Sequence, residues 1–414
     1  MNSITKRFLK YIAIDTQSNN HSQTTPSSLG QWTLAQLLAS ELESFGLEGV
    51  VITENCFVHG TLASNTPLEA PTMGLVAYLD TSHRFNSSNI RPQIHPSYDG
   101  SPLYLDTEGE IVLSQEIFPE LSHYIGDDLI TTDGTTLLGS NGKAGIAEIM
   151  TALETLKESS IPHGKIKVVF TPDQETLNRG IQLLNRDLFD VDFAITLDGD
   201  GVGEINFENF NAAHAIVRFK GRSAFTGDAK NKMINAIRIA SEWANLLPAE
   251  DIPEKTSGYE GFYHIEHMSG DVESAEVRCM IRDFDLDTFM HRKAKLRQIT
   301  EEFNTLYGKG TASLHIQDDY YNMKGVLSSK PQLVTMITSA VADAGILPKI
   351  APIRGGSDGA ILASMGIAAP NLFSGGHNCH GPYEFISIQA MEKSVEALLH
   401  IIKATSCMTD ISDK

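Results

Sequence analysis

The sequence predicts an α/β domain built from both ends of the chain and interrupted by an inserted α+β domain. Three observations predict it. Before Asp198, short apolar runs of strand length alternate with segments of helical apolar spacing. From His214 to Gln317, half-exposed strand patterns with period two surround two helical patterns. After Lys330 the first pattern resumes. The boundaries are placed at residues 1–209 and 323–414 for the α/β domain and 210–322 for the insertion.

In chain order, Ile4–Ile14 carries helical spacing through Phe8, Leu9 and Ile12. Asn19–Ser28 is polar and predicts a loop. Trp32–Phe45 repeats apolar residues near 3.6, and Gly46 is a stop. Gly74–Asp80 (GLVAYLD) predicts a buried strand. A polar insertion follows from His83 to about Asp128. Lys143–Lys157 predicts a helix behind a glycine-rich turn, and Lys165–Phe170 and Phe193–Leu197 predict strands. In the insertion, His214–Lys220, Glu276–Asp283 and Ala312–Gln317 predict strands, and Met233–Leu247 and Leu286–Tyr307 helices. The chain then predicts a helix at Pro331–Ala344, a strand at Lys349–Ile353, and helices at Asp358–Met365 and Ile388–Ser406.

The formal net charge is -20. An acidic balance of that size argues against nucleic acid and anionic membrane as partners, because both need a basic surface. Cys56, Cys279, Cys379 and Cys407 are scattered, with no CxxC pair, so they form neither a disulfide framework nor a zinc ribbon. The first residues have no apolar signal core. No apolar run reaches the length of a membrane span. The expected location is the cytoplasm. Gly139–Gly145 (GSNGKAG) lacks P-loop spacing. No G-x-S-x-G elbow is present, so a serine hydrolase is unsupported.

Five ordered segments carry a resemblance. They are YLDTS (Tyr78–Ser82), LLGSNGKAGIAEIMTAL (Leu137–Leu153), TPDQE (Thr171–Glu175), TLDGDGVGEINFENFNAA (Thr196–Ala213), and RGGSDGA with NLFSGGHNCHGPYEF (Arg354–Ala360, Asn371–Phe385). GYEGFYH, IRDFD and DDYYNM add to the set within the insertion. Together the chain resembles the M20 metallopeptidase family, in its tripeptide aminopeptidase branch, nearly end to end. The resemblance implies an M20-type α/β catalytic domain, an inserted lid and dimerisation domain, a homodimer, and a small peptide as ligand.

It also implies two zinc ions joined by a bridging carboxylate, each with a His and an Asp or Glu, and a separate Glu as general base. Here the mapped positions depart from that set. Tyr78 stands for a zinc-binding His, and a neutral phenol is a poor ligand. Asp80, which orients that His in the family, is retained without its partner. Ser140 stands for the bridging Asp and Asn141 for the Asp after it. Gln174 stands for the general base and cannot titrate. Glu175, Asp198 and His380 match the remaining ligands. Phe225 replaces a lid His. Arg354, Gly355 and Asn322 match positions for substrate, with Arg354 either binding a peptide or bracing a turn.

The expectation is therefore a degenerate peptidase with a retained peptide pocket and no zinc, or at most one weakly bound ion. The alternatives are a surviving tripeptide aminopeptidase or a single-metal hydrolase. The latter would use Glu175, Asp198 and His380 with Cys379, and His377 and His83 are weaker candidate ligands. A regulatory partner of an active relative is the remaining option.

Overall fold

The computed structural model describes residues 1–408. It divides into two compact units. The first comprises Met1–Phe207, Met323–Ala351 and the chain from Ser357 onward. The second comprises Glu208–Asn322 and Pro352–Gly356. Residues 208–209 and 352–356, expected in the α/β domain, fall in the second unit, where Ile353 bridges Asn209. The predicted end of the α/β domain, residues 409–414, lies outside the described residues.

An eight-stranded mixed sheet organises the first unit. Its centre is four parallel neighbours: Ile166–Thr171, Met73–Tyr78, Phe193–Gly199 and Asn371–Phe373. All six residues of Met73–Tyr78 are buried, which explains the unbroken apolar run in its sequence. Val58–Leu62 and Glu48–Ile52 extend one side as antiparallel strands, so the sheet is mixed and not purely parallel. Parallel neighbours need crossovers, and the helix Ser140–Glu158 lies between two of them in the chain. That helix is broken near its start. Asn141 has φ -61 and ψ 122, and Gly142 has φ +81, so regular helix begins only after Gly142.

The segment from His83 to Asp128 is less open than its polarity predicts. It adds a strand, Gln93–His95, to a small four-stranded sheet with Leu129–Thr131, Phe385–Ser387 and Gly376–His377. It also builds a separate apolar cluster from Tyr98, Leu105, Leu113, Leu121 and Tyr124 with Phe385. These anchors are too widely spaced to give a periodic signal.

The second unit is a four-stranded antiparallel sheet in the order Phe262–Gly270, Ser274–Asp283, Asn211–Lys220, Ala312–Tyr320. The helices Ala236–Ala244 and Leu286–Tyr307 pack on it, burying Trp243, Phe219, Phe289, Leu296 and Phe303 in one core. Among the described residues no helix is long and apolar enough to cross a membrane.

Candidate active site

Ligands of α/β sheets gather at the carboxyl ends of parallel strands. Here those ends deliver the mapped residues together. Tyr78 closes its strand, Gln174 and Glu175 follow Thr171, Asp198 lies at the end of Phe193–Gly199, and His380 follows the short strand Gly376–His377 that comes after Asn371–Phe373.

His380 Nε2 and Glu175 Oε1 are 2.8 Å apart. Burial works against a charged imidazole, but the bond to Glu175 and its charge outweigh it, so His380 titrates above its ordinary value. The side-chain amide of Asn141 completes the group, 3.3 Å from His380 Nε2 and 3.5 Å from Glu175 Oε1. Ser140 does not join it. Ser140 Oγ donates to Glu384 at 2.6 Å, beside the backbone N–H groups of Leu138, Gly139 and Ser140, which donate to the same carboxylate at 2.7, 3.1 and 2.8 Å. The position assigned to Ser140 from the resemblance is therefore one residue early in space. The non-helical turn at Asn141 aims that side chain, and not Ser140, at Glu175 and His380.

Asp80 has no imidazole to orient, yet it is fully buried and engaged. Its two oxygens accept from the backbone N–H of Gln174 at 2.9 Å and Glu175 at 3.0 Å. It thus holds the loop that carries both side chains. Burial, with Glu175 and Asp173 nearby, pushes its carboxyl well above the ordinary value.

Tyr78 is 1% exposed, and its Oη is shut from solvent beside Asp198 without a hydrogen bond of ordinary geometry. Its ring rests on Gly142, where a Cβ would meet ring carbons at 2.6 and 2.7 Å. Gln174 Nε2 lies 3.5 Å from Asp198 Oδ2. Burial and the neighbouring Asp358, Glu175 and Asp200 push Asp198 well above the ordinary carboxylate range. Asp200 is raised to about 6, by burial and then by Glu204.

Other proposed ligands point elsewhere. His377 bonds Tyr124 Oη at 2.6 Å and stacks on Phe385, because it belongs to the small sheet and its apolar cluster. His83 pairs with the Asn20 amide at 2.6 Å. Cys379 Sγ is 4.0 Å from Ser140 Oγ, and burial with Glu384 and Asp200 pushes its thiol well above the ordinary value.

Arg354 braces. Its guanidinium donates to Gly258 O at 2.7 Å, Glu260 O at 3.0 Å and Thr256 Oγ1 at 3.0 Å, over the rings of Phe210 and Phe262. Asn322 accepts from Asn209 N at 3.2 Å and donates to Phe284 O at 3.2 Å, a tie at the root of the insertion. Gly355 has an ordinary φ, and a Cβ there would meet only Ile353 at 3.9 Å. Phe225 is 80% exposed.

Sequence reasoning missed two residues. Glu384 fixes the Leu138–Ser140 turn from about 245 positions away, which no local pattern signals. Lys143 is fully buried, donates to Ile14 O at 2.7 Å, and is lowered by burial to about 7.

A family model described as Peptidase family M20/M25/M40 matches residues 140–404. The chain belongs to peptidase family M20. Within M20, it is 47% identical over 403 residues to a peptidase T of Geobacillus sp. strain WCH70, covering 97% of this chain and 98% of that one. Two solved structures share the M20 fold. A Staphylococcus aureus tripeptidase superposes with a TM-score of 0.78 at 22% identity, covering 98% of both chains. A Bacillus subtilis dinuclear metal binding peptidase of M20 superposes at 0.65 and 13% identity, covering 97% and 98%.

The resemblance implies a two-zinc centre, and the donors in this chain do not fit one. Two close dications need an anionic bridge, and the side chain facing Glu175 and His380 is the neutral amide of Asn141. One wall of the space is a phenol closed off from solvent.

Proposed function

We propose that this chain is a peptidase T-like protein that retains a pocket for short peptides and lacks two-metal hydrolysis. The observation that carries the proposal is the seating of Tyr78 on Gly142, with neutral amides at Asn141 and Gln174. A general base must accept a proton, and an amide does not; losing such a group costs about 10²–10⁴ in rate. Without an anionic bridge, the site holds no metal or at most one ion at Glu175 and His380.

A second reading, a working tripeptide aminopeptidase, is favoured by a specific observation. The 47% identity to a peptidase T over nearly the whole chain supports hydrolysis better than it supports its loss. One experiment separates the two. Purified protein, supplied with zinc, manganese or cobalt and then dialysed, is assayed for metal content and tripeptide cleavage. The first reading expects less than one ion per chain, no turnover, and tripeptide binding seen by calorimetry. Two ions per chain with chelator-sensitive cleavage would establish the second.

A further inference from the structure

A second cavity lies behind the small sheet, within the first unit. Its volume is about 400 Å³. Tyr124, Val202, Ile346 and Leu347 line it with apolar groups, and Lys349, Lys393, His123 and His377 line it with basic side chains. The net charge of the chain is -20, so a concentration of cations around one cavity runs against the general surface. Among the described residues neither Lys349 nor Lys393 forms an ion pair. The acid in the lining, Asp127, already accepts from Ser387 Oγ at 2.6 Å.

The floor is polar and fixed. His377 Nε2 is held by Tyr124 Oη at 2.6 Å, and its ring is stacked on Phe385 with centroids 5.1 Å apart. Burial, with His123 and Lys349 close by, lowers His377 to about 4, so the ring is neutral at pH 7. Lys349 and Lys393 are the permanent cations of the lining, and Asp127 is its acid.

The geometry points to a binding site for a small organic carboxylate with an apolar body. An anion in the cavity would meet the ammonium groups of Lys349 and Lys393, both of which line it. Its carbon chain would lie against Ile346, Leu347 and Val202. A free inorganic anion or a neutral oil meets only half of that chemistry, because the first leaves the apolar wall wet and the second leaves the lysines unpaired. The site is separate from the His380–Glu175 pair, and the inference stands whether or not the chain hydrolyses peptides.

The test is a titration of the full chain with hexanoate, inorganic phosphate and 1-hexanol, followed by calorimetry and by the ring signals of His377. Saturable binding of hexanoate is expected, with the His377 ring shifted. The double variant Lys349→Ala, Lys393→Ala removes exposed side chains that pair with nothing, and it should bind hexanoate about tenfold more weakly, or about 1.4 kcal/mol. Equal binding of hexanol, binding of phosphate as tight as that of hexanoate, no saturation by hexanoate, or an unaffected double variant each overturns the proposal.

Discussion

The ring of Tyr78 packs on Gly142 so closely that a Cβ at residue 142 would lie 2.6 Å from Tyr78 Cε2 and 2.8 Å from the Tyr78 carbonyl oxygen. Gly142 also has φ +81, a backbone state that other residues resist. The two residues are thus adapted to each other. Gly142→Ala is expected to cost about 2–4 kcal/mol, from overpacking and backbone strain together. In a Tyr78→Ala background the ring contact is gone while the carbonyl contact and φ remain. The added cost of Gly142→Ala should then fall by about 1 kcal/mol or more, as coupled neighbours do. Urea unfolding of the four proteins of this cycle measures it; equal costs in both backgrounds would remove the ring contact from the account.

Asp80 receives two backbone N–H groups, one on each oxygen. Asp80→Asn replaces one acceptor by an NH₂ group, which faces a donor with a donor. A loss of about 1–3 kcal/mol is expected. The amides of Gln174 and Glu175 should exchange faster with deuterium, while amides of the strand Met73–Tyr78 keep their protection. Unchanged exchange at both amides would show that Asp80 does not hold the loop.

Asp358 is buried against Thr171 and Asn178, and burial raises it to about 6 from an ordinary 3.8. In this window the folded chain holds a proton that the unfolded chain releases. Stability from this group is therefore present at low pH and lost as pH rises from about 4 to about 6. Asp358→Asn cannot titrate. Parent stability minus variant stability should fall by about 2–3 kcal/mol between pH 4 and pH 7. Urea midpoints at the two pH values read this difference directly, and a difference that stays flat or rises would contradict the sign.

Much of this architecture is legible in the chain because burial leaves period and composition behind. Met73–Tyr78 is covered on both faces and reads as an unbroken apolar run. Asn211–Lys220, with helices on one face, alternates toward its end and reads as half-exposed. The cluster around Tyr98 and Leu113 is different, since its members come from separate turns and leave no period. The site shows the same division. Residue types at Tyr78, Gln174 and His380 are visible in the sequence, but which of two adjacent side chains enters the site depends on a backbone turn at Asn141. Arg354 reads equally as a peptide clamp or a turn brace, and its bonds to Thr256, Gly258 and Glu260, about 95 positions away, leave no local trace in the sequence.

That turn decides how metal binding should be rebuilt. The set Tyr78→His, Asn141→Asp, Gln174→Glu places an imidazole and two carboxylates around Asp198, Glu175 and His380, the donor types zinc takes. It is expected to raise zinc affinity at least about tenfold over the parent, because Tyr78→His and Asn141→Asp each put a ligand where a neutral group stood, while Gln174→Glu returns the general base. Adding Ser140→Asp should reverse part of that gain. Ser140 Oγ is bonded to Glu384 at 2.6 Å, so an aspartate there sets two carboxylates against each other in a buried turn. The turn that aims Asn141 would be strained by the same repulsion. Competition titration with a zinc chromophore, run beside urea unfolding, separates the two effects. The fourfold variant should bind zinc more weakly than the triple and unfold at lower urea. If it binds more tightly, Ser140 and not Asn141 is the residue that meets the metal.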